Sequence, residues 1–217
     1  MKTRIVIVST AQSSVLLAHP ELFSSPMRLS ACEGIKNERV RLQKFAAELA
    51  LSYALSGKKL LPPEYSYAEN GKPVIEGGFI SLSHSAGFAA CAYSDCPVGV
   101  DIEAYRRINT NISRKILSEG ELAEFLAGGD EGYLLKKFVM KEAYLKMTGE
   151  GIFKSPASVE EKNGVIMRNG SSAGFLHDAS DEGYYCFAVT EKMTEIEIIK
   201  PAEISSDRII HSLFITS

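Results

Sequence analysis

Nowhere in the 217 residues is there an apolar run approaching the ~20 residues a bilayer-spanning helix needs, so no membrane span is expected. A strong charge of either sign is missing too: 24 Lys and Arg against 27 Asp and Glu leave a net charge of −3. That balance lacks the basic footprint of a nucleic-acid binder, and no nucleic-acid partner is expected. Cysteine is scarce, and Cys32, Cys91, Cys96 and Cys186 show no metal-ligand spacing. They read as buried free thiols in a reducing cytoplasm rather than as a disulfide framework. Ile5-Val6-Ile7-Val8 behind Lys2 and Arg4 has the look of a secretory leader. However, Ser9-Thr10-Ala11-Gln12-Ser13-Ser14 interrupts it before an apolar core of sufficient length forms, so a buried first strand is expected instead. What is present is ordinary for a globular protein, with 45% hydrophobic and 24% charged residues. A chain of this length buries a real core, as one large domain or two small ones.

Periodicity and turn residues give a coarse map. A strand at 4–9 is followed by a loop rich in Ser and Pro and a helix at 38–55, whose apolar positions are Val40, Leu42, Phe45, Ala46 and Leu49. Short strands are predicted at 65–68, 79–83, 88–93 and 98–103, with Asp95-Cys96-Pro97 turning between the last two. A polar bridge at 106–111 leads to helices at 112–126 and 132–147, separated by Gly128-Gly129-Asp130. Asn163-Gly164 signals a turn before Val165-Ile166-Met167, and 184–190 and 194–200 read as further strands. A helix followed by antiparallel strands recurs in each half, with a hinge near residue 104 and no residue-level repeat. This is an α+β pattern.

Two acidic clusters stand out against that frame. Val98, Val100 and Ile102 alternate with Gly99, Asp101 and Glu103, a period of two that marks a half-buried strand. Asp101 and Glu103 therefore share one face, roughly 6.5–7 Å apart along the strand. Like charges at that distance repel unless water screens them or a cation lies between them. Hard oxygen ligands of this kind suit Mg²⁺, whereas a solvated strand face is the plain alternative. In the second cluster, Leu135, Phe138, Glu142 and Leu145 run three, four, three along one helical stripe, so Glu142 stands where carbon is expected. A carboxylate there costs free energy unless something compensates it. Lys146, one turn on, is placed for an i,i+4 pair with Glu142. Lys141 points about 100° away, as a separate contact or a surface charge.

Gly99-Val100-Asp101-Ile102-Glu103, followed by Phe138-x-x-Lys141-Glu142-Ala143-x-x-Lys146, resembles the paired signature of the 4′-phosphopantetheinyl transferases. Asn70-Gly71-Lys72-Pro73 and Phe79-Ile80-Ser81-Leu82-Ser83-His84-Ser85 extend the likeness to the larger, surfactin-synthetase-activating (Sfp-type) branch. Four ordered motifs over residues 70–146 carry it; the first 35 residues and those beyond about 155 add little. The chain departs from the family in having Val139 ahead of Lys141-Glu142 and no tryptophan anywhere.

The resemblance implies two similar α+β halves, 1–104 and 105–217, related by a pseudo-twofold axis with the active site in the cleft between them. It implies a monomeric cytoplasmic enzyme that moves 4′-phosphopantetheine from coenzyme A to a serine of an apo acyl or peptidyl carrier protein, releasing 3′,5′-ADP. Mg²⁺, or Mn²⁺, would be held by Asp101, Glu103 and Glu142, with Asp101, Glu142 and Lys146 as the catalytic set. Lys146 would also contact the coenzyme, together with Ser83 and His84 at its phosphates and Lys72 and Pro73 near its adenine and 3′-phosphate. From the residues alone, the last two read first as a plain Gly-Lys-Pro turn. Arg41, among Lys36, Arg39 and Lys44, is either an anchor for the 3′-phosphate or part of a solvated basic helix face. Two other classes are weighed: a metal-dependent hydrolase of nucleotide pyrophosphates, and a non-catalytic module binding coenzyme A or a carrier. A mere binder does not need three mutually repelling carboxylates.

Overall fold

Ile5, Val6, Ile7 and Val8 have no exposed surface, because the strand they occupy is covered on both faces. That strand, β1 (Lys2–Ser9), sends Val6 and Val8 toward a long helix and Ile5 and Ile7 toward a second sheet. A continuous apolar run rather than an alternating one is the expected signature of such a strand. The structure is a computed structural model describing residues 1–57, 60–150 and 156–204; the predicted second half therefore extends, from residue 205, outside the described residues.

After β1 come the single-turn helix α1 (Ser14–Leu17) and α2 (Pro26–Glu33). Both lie in the stretch predicted as loop. Ser25 caps α2, its hydroxyl accepting from Arg28 N, and Pro26 follows at the position where a missing N–H costs nothing. Next are α3 (Glu38–Ser56), the small hairpin β2 (Ser66–Tyr67) and β3 (Pro73–Val74), β4 (Phe79–Ser85) and β5 (Phe88–Ser94). The second half opens with β6 (Val98–Ala104), then α4 (Ser113–Ile116), α5 (Glu119–Leu126) and α6 (Glu131–Thr148). The single helix predicted at 112–126 is broken at Leu117, because Ser118 and Glu121 form a capping box that starts α5 afresh. β7 (Val159–Lys162), β8 (Val165–Arg168), β9 (Ser171–Asp178), β10 (Tyr184–Thr190) and β11 (Glu195–Ile199) complete the described chain.

The strands form two main sheets, β11-β1-β5-β4 and β6-β10-β9-β8-β7. In the first, β1 and β4 each pair antiparallel with β5; in the second, β6 and β9 each pair antiparallel with β10. The series β1, α3, β4, β5 and β6, α6, β9, β10 thus share one connectivity, a repeat of topology without a repeat of residues. The chain is α+β. Its division differs from a cut at residue 104 in two ways: β6 joins the second sheet, and β11 returns to lie parallel to β1 in the first.

Small residues make the contact between the sheets. Ile5, Ile7, Ala90 and Ala92 from one meet Val98, Val100, Ile102, Cys186 and Ala188 from the other in a single buried cluster. α3 covers the outer face of the first sheet through Phe45, Leu49 and Ala50, and α6 covers that of the second through Val139, Ala143 and Met147. All four cysteines are free and buried. Among the described residues no helix is long and apolar enough to cross a membrane.

Candidate active site

Serines at every second position of β4 determine what faces β6. The Val100 and Ile102 N–H groups donate to Ser81 Oγ (3.0 Å) and Ser83 Oγ (3.4 Å), so hydroxyls replace a backbone ladder where the two sheets adjoin. Two serines of this series, Ser83 and Ser85, also reach the acids. Ser83 Oγ donates to Asp101 Oδ1 at 2.7 Å, and Ser85 Oγ donates to Glu103 Oε2 at 2.5 Å. Asp101 is buried, whereas Glu103 is half-buried and also accepts from Arg106 Nε at 3.2 Å.

Gly99, on the same face, lets α6 come close. A Cβ there would lie 2.0 Å from Ala143 O and 2.3 Å from Met147 N, so only glycine admits the helix backbone. That approach delivers Lys146, whose Nζ donates to Asp101 Oδ1 at 2.7 Å. The i,i+4 pair with Glu142 is not made; Lys146 reaches across to β6 instead. Among the described residues Glu142 has no hydrogen-bond or ion-pair partner. Partial burial and the nearby charge of Asp101 raise its pKa, and Lys146 offsets part of this.

A basic cleft opens beside these groups. One cavity of about 260 Å³ is lined by Arg28, Lys44, Tyr67, Pro73, Leu82 and His84. Another, of about 190 Å³, is walled by Asn70, Lys72, Pro73, Ser81, Leu145 and Lys146. The His84 ring stands at the mouth, open to solvent. Desolvation by the cleft walls, then the charges of Lys44, Lys146 and Arg28, hold its pKa below the ordinary value. Lys72 is half-buried and its pKa is lowered by desolvation. Arg41 does not line either cavity. It lies one turn from Lys44 in a neighbouring cavity of about 710 Å³ with Thr10, Cys32, Glu38 and Phe45.

The cation that sequence reasoning missed is Arg28, in the stretch read as loop. It is held from behind by Glu48, which has no exposed surface. Glu48 Oε1 accepts from Arg28 Nε (3.2 Å) and from Tyr65 OH, while Oε2 accepts from Ser25 N and Oγ, each at 3.1 Å. Arg28 also donates to Tyr67 OH at 2.5 Å. The signal was available: Glu48 interrupts the run Phe45-Ala46-Ala47 and Leu49-Ala50-Leu51 as Glu142 interrupts its stripe. Of the two readings of Lys141, the separate contact is the one found: the residue is fully buried, donating to Ile116 O at 2.8 Å and to Glu121.

Asp101, Glu103 and Glu142 are not gathered into a ready trio: among the described residues no three His, Cys, Asp or Glu side chains group closely enough to hold a metal ion. Asp101 and Glu142 are the pair that feel each other's charge. A half-buried, partnerless carboxylate beside a second one is a hard-oxygen donor set that suits Mg²⁺, which takes one or two protein carboxylates and fills the rest of its octahedron from waters and substrate phosphates.

Residues 97–191, which hold β6 and α6, match the 4′-phosphopantetheinyl transferase superfamily. Over that segment the chain is similar to this superfamily, and relatives of the Sfp type are among those it resembles. The 4′-phosphopantetheinyl transferase psf-1 of Bacillus pumilus is 34% identical over 114 residues, 48% of this chain and 49% of its own. The 4′-phosphopantetheinyl transferase Sfp of Bacillus subtilis (strain 168) is 31% identical over 94 residues, 41% of this chain and 42% of its own. The chain thus matches these curated relatives over less than half of their length. Among solved structures, the holo-ACP-synthase from Plasmodium yoelii is 26% identical over 43% of this chain and 91% of its own, with a TM-score of 0.37.

Proposed function

We propose that this protein transfers 4′-phosphopantetheine from coenzyme A to a serine hydroxyl of an apo carrier protein. The observation that carries the reading is the Asp101–Lys146 pair beside a basic cleft, next to a Glu142 that feels the charge of Asp101 and has no hydrogen-bond or ion-pair partner among the described residues. Relatives named as 4′-phosphopantetheinyl transferases support it.

In this reading Arg28 and Lys44 neutralise the coenzyme's phosphates, while the neutral His84 ring offers them an N–H donor and Ser83 and Pro73 lie beside them. Lys146 exchanges part of its contact with Asp101 for a non-bridging oxygen of the pyrophosphate. Glu142 takes the proton of the carrier serine. The serine oxygen then bonds the β-phosphorus, the bond from that phosphorus to the bridging oxygen breaks, and 3′,5′-ADP leaves with the electron pair. Asp101 and Glu142, with Glu103 nearby, would hold Mg²⁺. When bound, that ion supplies neutralising charge to the diphosphate and the leaving phosphate. Positioning and charge neutralisation supply most of the rate in such transfers. Ser83 and Ser85 keep the two strand carboxylates aimed while the cleft fills.

The deciding experiment is mass spectrometry of apo acyl and peptidyl carriers incubated with the protein, coenzyme A and Mg²⁺. A phosphopantetheine adduct on the carrier is expected from wild type and from neither Asp101→Ala nor Glu142→Ala. Breakdown of coenzyme A without an adduct would favour the hydrolase, and full activity in either variant would remove these residues from the chemistry.

A further inference from the structure

We infer that Lys72 and Asn70 are positioning residues: the hairpin that carries them holds the last turn of α6 so that Lys146 meets Asp101. This role rests on the transferase reading of Lys146 and Asp101.

The last carbonyls of a helix have no partner within it. At the end of α6 several are taken up from outside the backbone ladder. Thr148 Oγ1 donates to Leu145 O at 3.2 Å, Lys72 Nζ to Met147 O at 2.5 Å, and Asn70 Nδ2 to Gly149 O at 3.3 Å. Two of these three donors come from the loop between β2 and β3, in the other half of the molecule. An ammonium at a helix C-terminus also meets the negative end of the helix dipole. The loop is itself braced, since Asn70 Oδ1 accepts from Lys72 N at 3.2 Å, and Gly71 takes a positive φ of 78°. Gly149, at φ 74°, completes the fit: a Cβ there would lie 2.8 Å from Asn70 Nδ2.

Lys146 sits in the turn so held, one residue before Met147. The opposite side of that turn rests on Gly99, whose strand carries Asp101 two residues on. The turn is therefore gripped between the loop and β6, and its rotation sets where Lys146 Nζ falls. Lys72, with its ammonium spent on Met147 O, presents its stem to the cleft and acts through the helix. The family resemblance gives Lys72 a direct coenzyme contact instead, and the two roles make opposite demands on kinetics.

The test combines steady-state transfer with hydrogen exchange. Lys72→Met is expected to lower kcat roughly ten- to a hundredfold, the scale on which misplacing a reacting group by an ångström costs rate. KM for coenzyme A stays near its wild-type value. Asn70→Ala, an exposed position, gives a smaller change of the same kind, and Lys72→Arg recovers part of kcat. In a Lys146→Ala background, Lys72→Met adds no further loss, because a residue acting through Lys146 has nothing left to act on. In the ligand-free protein the amides of 145–149 exchange faster in both loop variants. A rise in KM with unchanged kcat, additive losses in the double variant, or unaltered exchange at 145–149 would each overturn the assignment. If wild type forms no carrier adduct, the transferase reading fails by itself, and the exchange measurement still decides whether the loop holds the helix.

Discussion

Glu142 is a carboxylate kept where it is uncomfortable. Burial and Asp101 raise its pKa in the folded chain above the unfolded value. Between those two values the native state binds more protons than the unfolded state, so stability falls as pH rises through the window. Above the folded pKa the deficit is complete; below the unfolded pKa it vanishes. Glu142→Gln is therefore expected to raise Tm by about 2 °C at neutral pH, on the scale of a kcal/mol or less for a chain of this size. The gain should disappear in scans below roughly pH 4. A lower Tm for the variant at neutral pH would mean that the side chain makes a stabilising contact there. The strain was readable from letters alone, since a carboxylate at a position that periodicity assigns to carbon is conspicuous. For Lys141 a contact of its own was readable, but not with what. Its partner Glu121 lies on another helix, and no spacing rule ties the two.

At the scale of elements, α6 is the part on which the site depends. It approaches β6 over Gly99, is capped by Asp130 at one end, and is anchored through Lys141 to α4 and α5. Desolvation lowers the pKa of Lys141 even beside Glu121, and the same ammonium draws Glu121 below the ordinary carboxylate range against its own desolvation. Lys141→Ala leaves the buried Glu121 with only Lys137 at 3.3 Å and the Ser118 N–H, so it is expected to cost about 3 kcal/mol, the lower end for breaking a buried pair. Urea unfolding with unchanged slope would measure this, and a loss under about 1 kcal/mol would show that water reaches Glu121. The long helices and the strands of strong alternation were legible because periodicity and capping residues agree there. α1 and α2 were not, since a single turn and an eight-residue helix scarcely register as a periodic pattern. β7 and β9 escaped for a different reason. Val159-Glu160-Glu161-Lys162 and the opening of β9, Ser171-Ser172-Ala173-Gly174, carry few of the residues that mark a strand.

At the scale of the whole molecule, the two halves are locked by what each leaves uncovered. Ile5, Ile7, Ala90 and Ala92 are buried only because the second sheet lies over them, and the outer edge of β1 is paired only because β11 returns. A fragment of residues 1–97 is expected to show no cooperative urea transition. A sharp two-state curve from that fragment would show that the first half closes on its own. The repeat of architecture was legible as helix followed by strands, but the exchange of β6 and β11 between sheets was not. Pairing across the whole chain leaves no local mark, and apolar alternation at 98–103 suits either sheet.

The return of β11 has a consequence for how the protein is made. Lys2 is translated 193 residues before its neighbour Glu195. At typical elongation speeds of about 5–20 residues per second, β1 waits some ten seconds or more with one flank open. Chaperone dependence during biosynthesis should therefore concentrate on that interval and fall once β11 emerges.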